Sequence, residues 1–140
     1  MTVKTFKDEC VFPYDLATVF NFFNTPKNLG KITPGYMNFK LLTPDPIIMK
    51  ENAVFDYQLH LFGLIPVRWT SLITQYEPPY QFTDIQLKGP HSYWHHQHTF
   101  KEVEGGTLVT DTVAYKLPLE PLSTIADYLV LCHINTSMFA

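Results

Sequence analysis

From Asn38 onward, apolar and polar residues alternate with a period of two over most of the chain, the signature of half-buried β-strands. Six such segments are predicted, at about 37–43, 52–62, 66–77, 80–88, 92–103 and 107–117. Their separators are Pro44-Asp45-Pro46, Gly63, Pro78-Pro79, Gly89-Pro90 and Gly105-Gly106. Each is a turn former, proline because its φ is fixed and glycine because positive φ costs it little. Connections this short join antiparallel neighbours, since a parallel crossover needs a dozen residues or more. Ahead of this run, Val3 to Phe12 alternates and stops at Pro13, predicting an opening strand. Asp15 then fits the N-cap of a short helix bearing Leu16, Val19, Phe20 and Phe23 at helical spacing. A second short helix is predicted from Pro26 to about Ile32, capped by Thr25 and ended by Pro34-Gly35.

After Pro118, a long helix is predicted from Glu120-Pro121 to about Asn135. Leu122, Ile125, Ala126, Leu129, Cys132 and His133 form one stripe, while Tyr128, Val130, Leu131 and Ile134 fall outside it. A helix apolar on more than one face is either embraced by the sheet or meets a partner, and the second case would make a homodimer through this helix. The element order predicts an α+β fold with a helix-grip arrangement in one domain spanning 1–140: a curved antiparallel sheet of six to seven strands wrapped around the C-terminal helix, with two short helices after strand 1.

Composition narrows the function classes. Net charge is −3 and the basic residues are scattered, which argues against a nucleic-acid binder. No apolar run reaches the ~20 residues that span a bilayer. Cys10 and Cys132 lie far apart and the N-terminus has no secretory pattern, so a reduced, cytoplasmic protein is expected. Aromatic residues make up 15% of the chain, a high share that is divided between core and any cavity lining, and concave ligand sites are built largely from such residues.

Chemistry concentrates in Gly89 to Phe100, where alternation puts Trp94, His96, His98 and Phe100 on one face. A face with Trp and Phe is buried, so two imidazoles go in with them and need partners or a wet cavity. The same parity turns Trp69, Ser71 and Ile73, then Phe82, Asp84 and Gln86, then Val109, Asp111, Val113 and Tyr115 inward. A two-residue loop at Gly105-Gly106 would set Phe100 opposite Asp111 and His98 opposite Val113, leaving His98 and Asp111 as diagonal neighbours. The expected ligand-binding set is Tyr57, Trp69, Ser71, Asp84, Gln86, Trp94, His96, His98, Asp111 and Tyr115. The competing account is that the polar members merely satisfy one another and hold the strands in register. His91 and His95 have the outer parity and are expected to be exposed.

Residues Gly63, Pro66-Val67-Arg68-Trp69, Ile73, Phe82-Thr83-Asp84-Ile85-Gln86, Gly89-Pro90, Trp94-His95-His96-Gln97-His98-Thr99-Phe100 and Gly105-Gly106-Thr107-Leu108-Val109-Thr110-Asp111 together resemble the Bet v 1-like superfamily, also called START-like or SRPBCC, in its small bacterial ligand-binding branch. The resemblance covers about residues 3 to 122; beyond Leu122 the chain departs from that branch, whose last helix is longer and Arg-rich, whereas Thr136 to Ala140 carries no base. It implies an internal cavity between sheet and helix, and no particular ligand or cofactor.

The expected function is binding of a small, partly hydrophobic molecule, of lipid, polyketide or aromatic type, for transport, sensing or sequestration. The alternative is a small cyclase- or dehydratase-type enzyme with His98 and Asp111 as a general-base pair; no nucleophile signature accompanies them. A protein-interaction module without a physiological ligand is a further alternative. Two histidines at i and i+2 with an Asp also raise the question of a metal. With no cysteine nearby, no fourth protein ligand in sight and none implied by the resemblance, no metal is expected.

Overall fold

A computed structural model describes residues 3–33, 35–61, 63–116, 131–134 and 139. Strand β1 (Lys4–Phe12) leads into α1 (Leu16–Phe23), a 3-10 turn (Pro26–Asn28), α2 (Leu29–Ile32) and a second 3-10 turn (Gly35–Met37). Strands β2 (Lys40–Leu41), β3 (Val54–Leu61), β4 (Ile65–Glu77), β5 (Gln81–Lys88), β6 (Tyr93–Val103) and β7 (Gly106–Lys116) follow. All seven form one antiparallel sheet in the order β1-β7-β6-β5-β4-β3-β2. The Asp15 carboxylate accepts the Thr18 N–H at 2.8 Å, so α1 starts at the predicted cap.

Two features bend the sheet. The β4–β5 register shifts twice, with Leu87 of β5 extra between the Thr70 and Ser71 pairs and Thr74 of β4 extra between the Ile73 and Gln75 pairs, and extra residues of this kind concentrate twist and curl a strand. The concave side then collects Phe12, Phe82, Phe100 and Val109 with Leu16, Val19, Phe20 and Phe22 of α1 in one buried cluster. Met37, Leu59, Trp69, Trp94 and Val113 form a second.

The β6–β7 hairpin differs from the expected register. Val103 pairs with Gly106, so the loop is Glu104-Gly105 and His98 stands directly opposite Asp111, with Phe100 opposite Val109 and His96 opposite Val113. Gly105 and Gly106 both take a positive φ, 89° and 150°. Gly106 is needed for a further reason: a Cβ there would collide with the Phe12 carbonyl oxygen at the end of β1. The second glycine therefore marks a close approach between strands, and the turn centre moves back by one residue.

The helix expected over about 120–135 lies largely outside the described residues, and with it any dimer contact through that helix. Its predicted end is corrected: Leu131–His133 form a 3-10 turn. Leu131, assigned outside the stripe, is buried, whereas Cys132, assigned within it, is exposed. The cause is covalent. Cys132 is disulfide-bonded to Cys10 on edge strand β1, with Cα atoms 5.4 Å apart, which corrects the expectation of free thiols. The Leu131 N–H donates to Asp8 Oδ2 of β1 at 2.7 Å, so bond and bridge together seat this turn on the edge of the sheet. Among the described residues, no helix is long and apolar enough to cross a membrane.

The bridge joins residues 122 apart in sequence, and loop-closure entropy in the unfolded chain makes such long-range links effective. Cys10→Ser, or reduction of the native protein, is expected to cost about 2–4 kcal/mol in urea unfolding. Equal midpoints with and without reductant would count against this.

Candidate functional site

A cavity of about 160 Å³ lies on the concave side of the sheet. Strands β3 and β4 supply Phe55, Tyr57 and Leu59 with Trp69, Ser71 and Ile73, all on the inward parity of their strands. Helix α1 contributes Phe22 and Phe23, α2 contributes Leu29 and Ile32, and the disulfide-anchored turn contributes Leu131 and Ile134. One part of the wall is polar: Asp84 from β5, His96 and His98 from β6, and Asp111 from β7. Tyr57 and Trp69 stack with ring centroids 5.9 Å apart, and Trp94 meets Trp69 edge-on at 5.0 Å. Trp69 Nε1 donates to Ser71 Oγ at 3.0 Å, and the Tyr57 hydroxyl is 2.9 Å from the same oxygen.

The four ionisable groups form a chain across three strands. His98 Nε2 donates to Asp84 Oδ2 at 2.8 Å, and its other nitrogen, Nδ1, lies 3.2 Å from Asp111 Oδ1. His96 Nε2 is 3.3 Å from that same Asp111 oxygen, and the two imidazole rings lie with centroids 3.7 Å apart. Burial alone would lower the His98 pKa, but the carboxylates of Asp111 and Asp84 on either side overcome it and raise the value to about 9. Asp111 is pushed upward by burial and downward by His96 and His98; the imidazoles prevail and hold it well below the usual carboxylate range. Desolvation, then the Asp84 carboxylate, pushes the Tyr57 phenol up, so it stays neutral.

Eight of the ten expected ligand-binding residues line this cavity: Tyr57, Trp69, Ser71, Asp84, Trp94, His96, His98 and Asp111. Two do not. Gln86 sits next to a β4–β5 register shift and spends its amide on the β5–β6 turn, with Nε2 donating to the His91 carbonyl and Oε1 accepting the His91 N–H at 3.2 Å. Tyr115 pairs with Trp94 at the far end of β7 and packs against that indole and the His91 ring. His91, expected to be exposed, is 5% exposed and lies against Trp69 and Trp94. It belongs to the turn before β6, where strand parity carries no information. Burial lowers its pKa to about 4. His95 stays on the outer parity, half-buried.

Some lining residues were missed. Phe55 and Leu59 share the inward parity of Tyr57, so alternation could have found them, and Phe82 had been turned inward by parity without being counted in the ligand-binding set. Met37 and Met49 come from irregular segments and carry no such signal.

A curved seven-stranded sheet, two short helices after β1 and a cavity on the concave side define a Bet v 1-like fold, as the sequence resemblance implied. Solved structures agree. Protein Ms6760 from Mycobacterium smegmatis is 18% identical, with 91% of this chain and 85% of that one covered and a TM-score of 0.65. Major latex-like protein 151 from Panax ginseng is 16% identical, with coverage of 91% and 88% and a TM-score of 0.67. DR_A0006 from Deinococcus radiodurans is 16% identical, with coverage of 90% and 91% and a TM-score of 0.62. At these identities the likeness shows the fold. No family model matches the sequence, and no curated protein matches it.

Two histidines give stability opposite pH limbs. His98 has a raised folded pKa, so its contribution is complete below the unfolded value of about 6.5 and is lost as pH rises through about 9. His91 has a depressed one, so stability falls as pH drops from about 6.5 toward about 4, where the unfolded chain takes up a proton that the folded chain refuses. Urea unfolding across pH is expected to peak between these limbs, with His98→Gln flattening the alkaline limb and His91→Phe the acid one. An alkaline limb unchanged in His98→Gln would show that His98 is not the group responsible.

Proposed function

We propose that this chain binds a small, partly apolar molecule in the cavity, for transport, sensing or sequestration. The observation that carries the reading is the division of the wall: an aromatic and aliphatic lining closed on one side by four ionisable side chains. Aromatic rings exclude water from the apolar part of a guest, while hydrogen-bonding groups in that dry setting fix its polar end. Trp69, Trp94 and Tyr57 enclose the first, and Asp84, His96, His98 and Asp111 recognise the second. About 160 Å³ sits below the ~300–1,000 Å³ of drug-sized pockets and close to the ~150 Å³ that holds a single benzene. The favoured ligand is therefore of one-ring size with a polar substituent, rather than a full-length lipid.

A second reading, a small cyclase- or dehydratase-type enzyme using His98 and Asp111, is favoured by their direct cross-strand pairing. The two separate on one point: a binding protein returns its ligand unchanged, and an enzyme does not.

Both tryptophans of the chain line the cavity, so their fluorescence reports directly on its contents. Titration with indole and substituted phenols is expected to change the emission saturably. Ile73→Phe, which puts a ring into the space, is expected to abolish the response while the protein stays folded. A response that persists in Ile73→Phe would place binding elsewhere. Trp94→Ala is expected to weaken binding and to cost about 3–5 kcal/mol of stability, read from urea unfolding of the same samples.

A further inference from the structure

We infer that the polar wall of the cavity is a binding site for a divalent first-row metal ion such as zinc, with His96 Nε2, His98 Nδ1 and Asp111 Oδ1 as its protein ligands. Asp111 Oδ1 is 3.3 Å from His96 Nε2 and 3.2 Å from His98 Nδ1. These are hydrogen-bond lengths without hydrogen-bond alignment: His96 Nε2 and Asp111 Oδ1 are fully buried and have no hydrogen-bond partner among the described residues. The His96 and Asp111 side chains are only 8% and 9% exposed, and buried polar atoms are as a rule paired. A buried donor or acceptor left this way is costly. A metal removes the cost at both atoms at once.

The spacing fits. In a tetrahedral site with bonds of about 2.0–2.1 Å, neighbouring ligand atoms stand about 3.3 Å apart. The two imidazoles come from i and i+2 of one strand and project to the same side, with centroids 3.7 Å apart; a shared tetrahedral ion would spread the rings to about 5 Å, so binding opens this ring pair. Asp84 completes the arrangement from behind, its Oδ2 accepting from His98 Nε2 at 2.8 Å. A carboxylate on the far nitrogen of a metal-binding histidine fixes the ring and its tautomer. Asp84, His96 and His98 also each offer a ligand atom within 4.8 Å of the others, but with His98 bound through Nδ1, Asp84 stays on the far nitrogen and supports the ring instead of joining the ion. Imidazole with carboxylate suits zinc and its neighbours, and three protein ligands leave a position open toward the cavity for water or for an oxygen of a guest. Direct cross-strand pairing sets Asp111 opposite His98 on the face that also carries His96.

Metal binding needs no organic ligand, so this site stands or falls apart from the proposed function. The test uses the full chain with its disulfide intact, stripped of metal by chelation and titrated with zinc chloride by calorimetry. One zinc per chain is expected. Cobalt(II) in its place is expected to give the strong visible bands of a four-coordinate ion. His96→Asn and Asp111→Asn should each abolish the site at micromolar protein, and Asp84→Asn should weaken it about 10–100-fold. His95→Ala, on the outer face, should leave it unchanged. Thermal melts establish that each variant folds. Should a variant fail to fold, zinc-induced shifts of the His96 and His98 ring nitrogen signals in the unaltered protein carry the test instead. Absence of a stoichiometric zinc site, absence of those shifts, or a site that survives both His96→Asn and Asp111→Asn would overturn the assignment. Loss of the indole and phenol response with zinc binding retained would sink only the organic-ligand reading.

Discussion

An ionised carboxylate moved from water into an apolar interior is costly unless something compensates its charge. The concave face of this sheet carries two, Asp84 and Asp111, each no more than 15% exposed. What makes this tolerable is His98, placed between them with one ring nitrogen toward each. The compensation is mutual, since the carboxylates keep the imidazole charged where burial would neutralise it. Removing His98 leaves Asp84 without its imidazole and Asp111 with His96 alone, and removing either carboxylate leaves His98 with one counter-charge. The strands that carry them, β5, β6 and β7, are adjacent and central, so the charge arrangement and the sheet register constrain each other.

The same cluster keeps the interior from closing into a solid core. Ionic and polar side chains cannot be packed over by aliphatic ones without stranding hydrogen-bonding atoms. The large rings stand around them instead: Trp69 and Trp94 meet edge-on, and Phe82 stacks on His98 at 4.2 Å. Register shifts between β4 and β5 supply curvature that leaves space between these walls. At the sheet edge, the Cys10–Cys132 bridge and the Asp8 bond to Leu131 bring two more apolar side chains, Leu131 and Ile134, to the lining. A hollow with aromatic sides and a charged wall is thus the outcome of packing rules applied to this set of residues.

Local pattern was enough for the strands, the cap of α1, the α+β class and the inward parity of Trp69, Ser71, Asp84, Trp94, His96, His98 and Asp111. Side-chain alternation is a property of a single strand, and an Asp at a cap or a Pro in a turn acts within a few residues, so such features are readable one segment at a time. Other decisions belonged to distant parts of the chain. Whether His98 faces Asp111 or Val113 depends on which glycine occupies the turn, and that was decided by the approach of Gly106 to Phe12 at the far end of β1. Gln86 was drawn from the cavity by the backbone of His91, and Leu131 exchanged environments with Cys132 because a sulfur 122 residues away was within reach. Period and propensity determine which way a side chain points from its own strand. What it meets there is set by register, bulges and cross-links, which exist only once the strands are assembled.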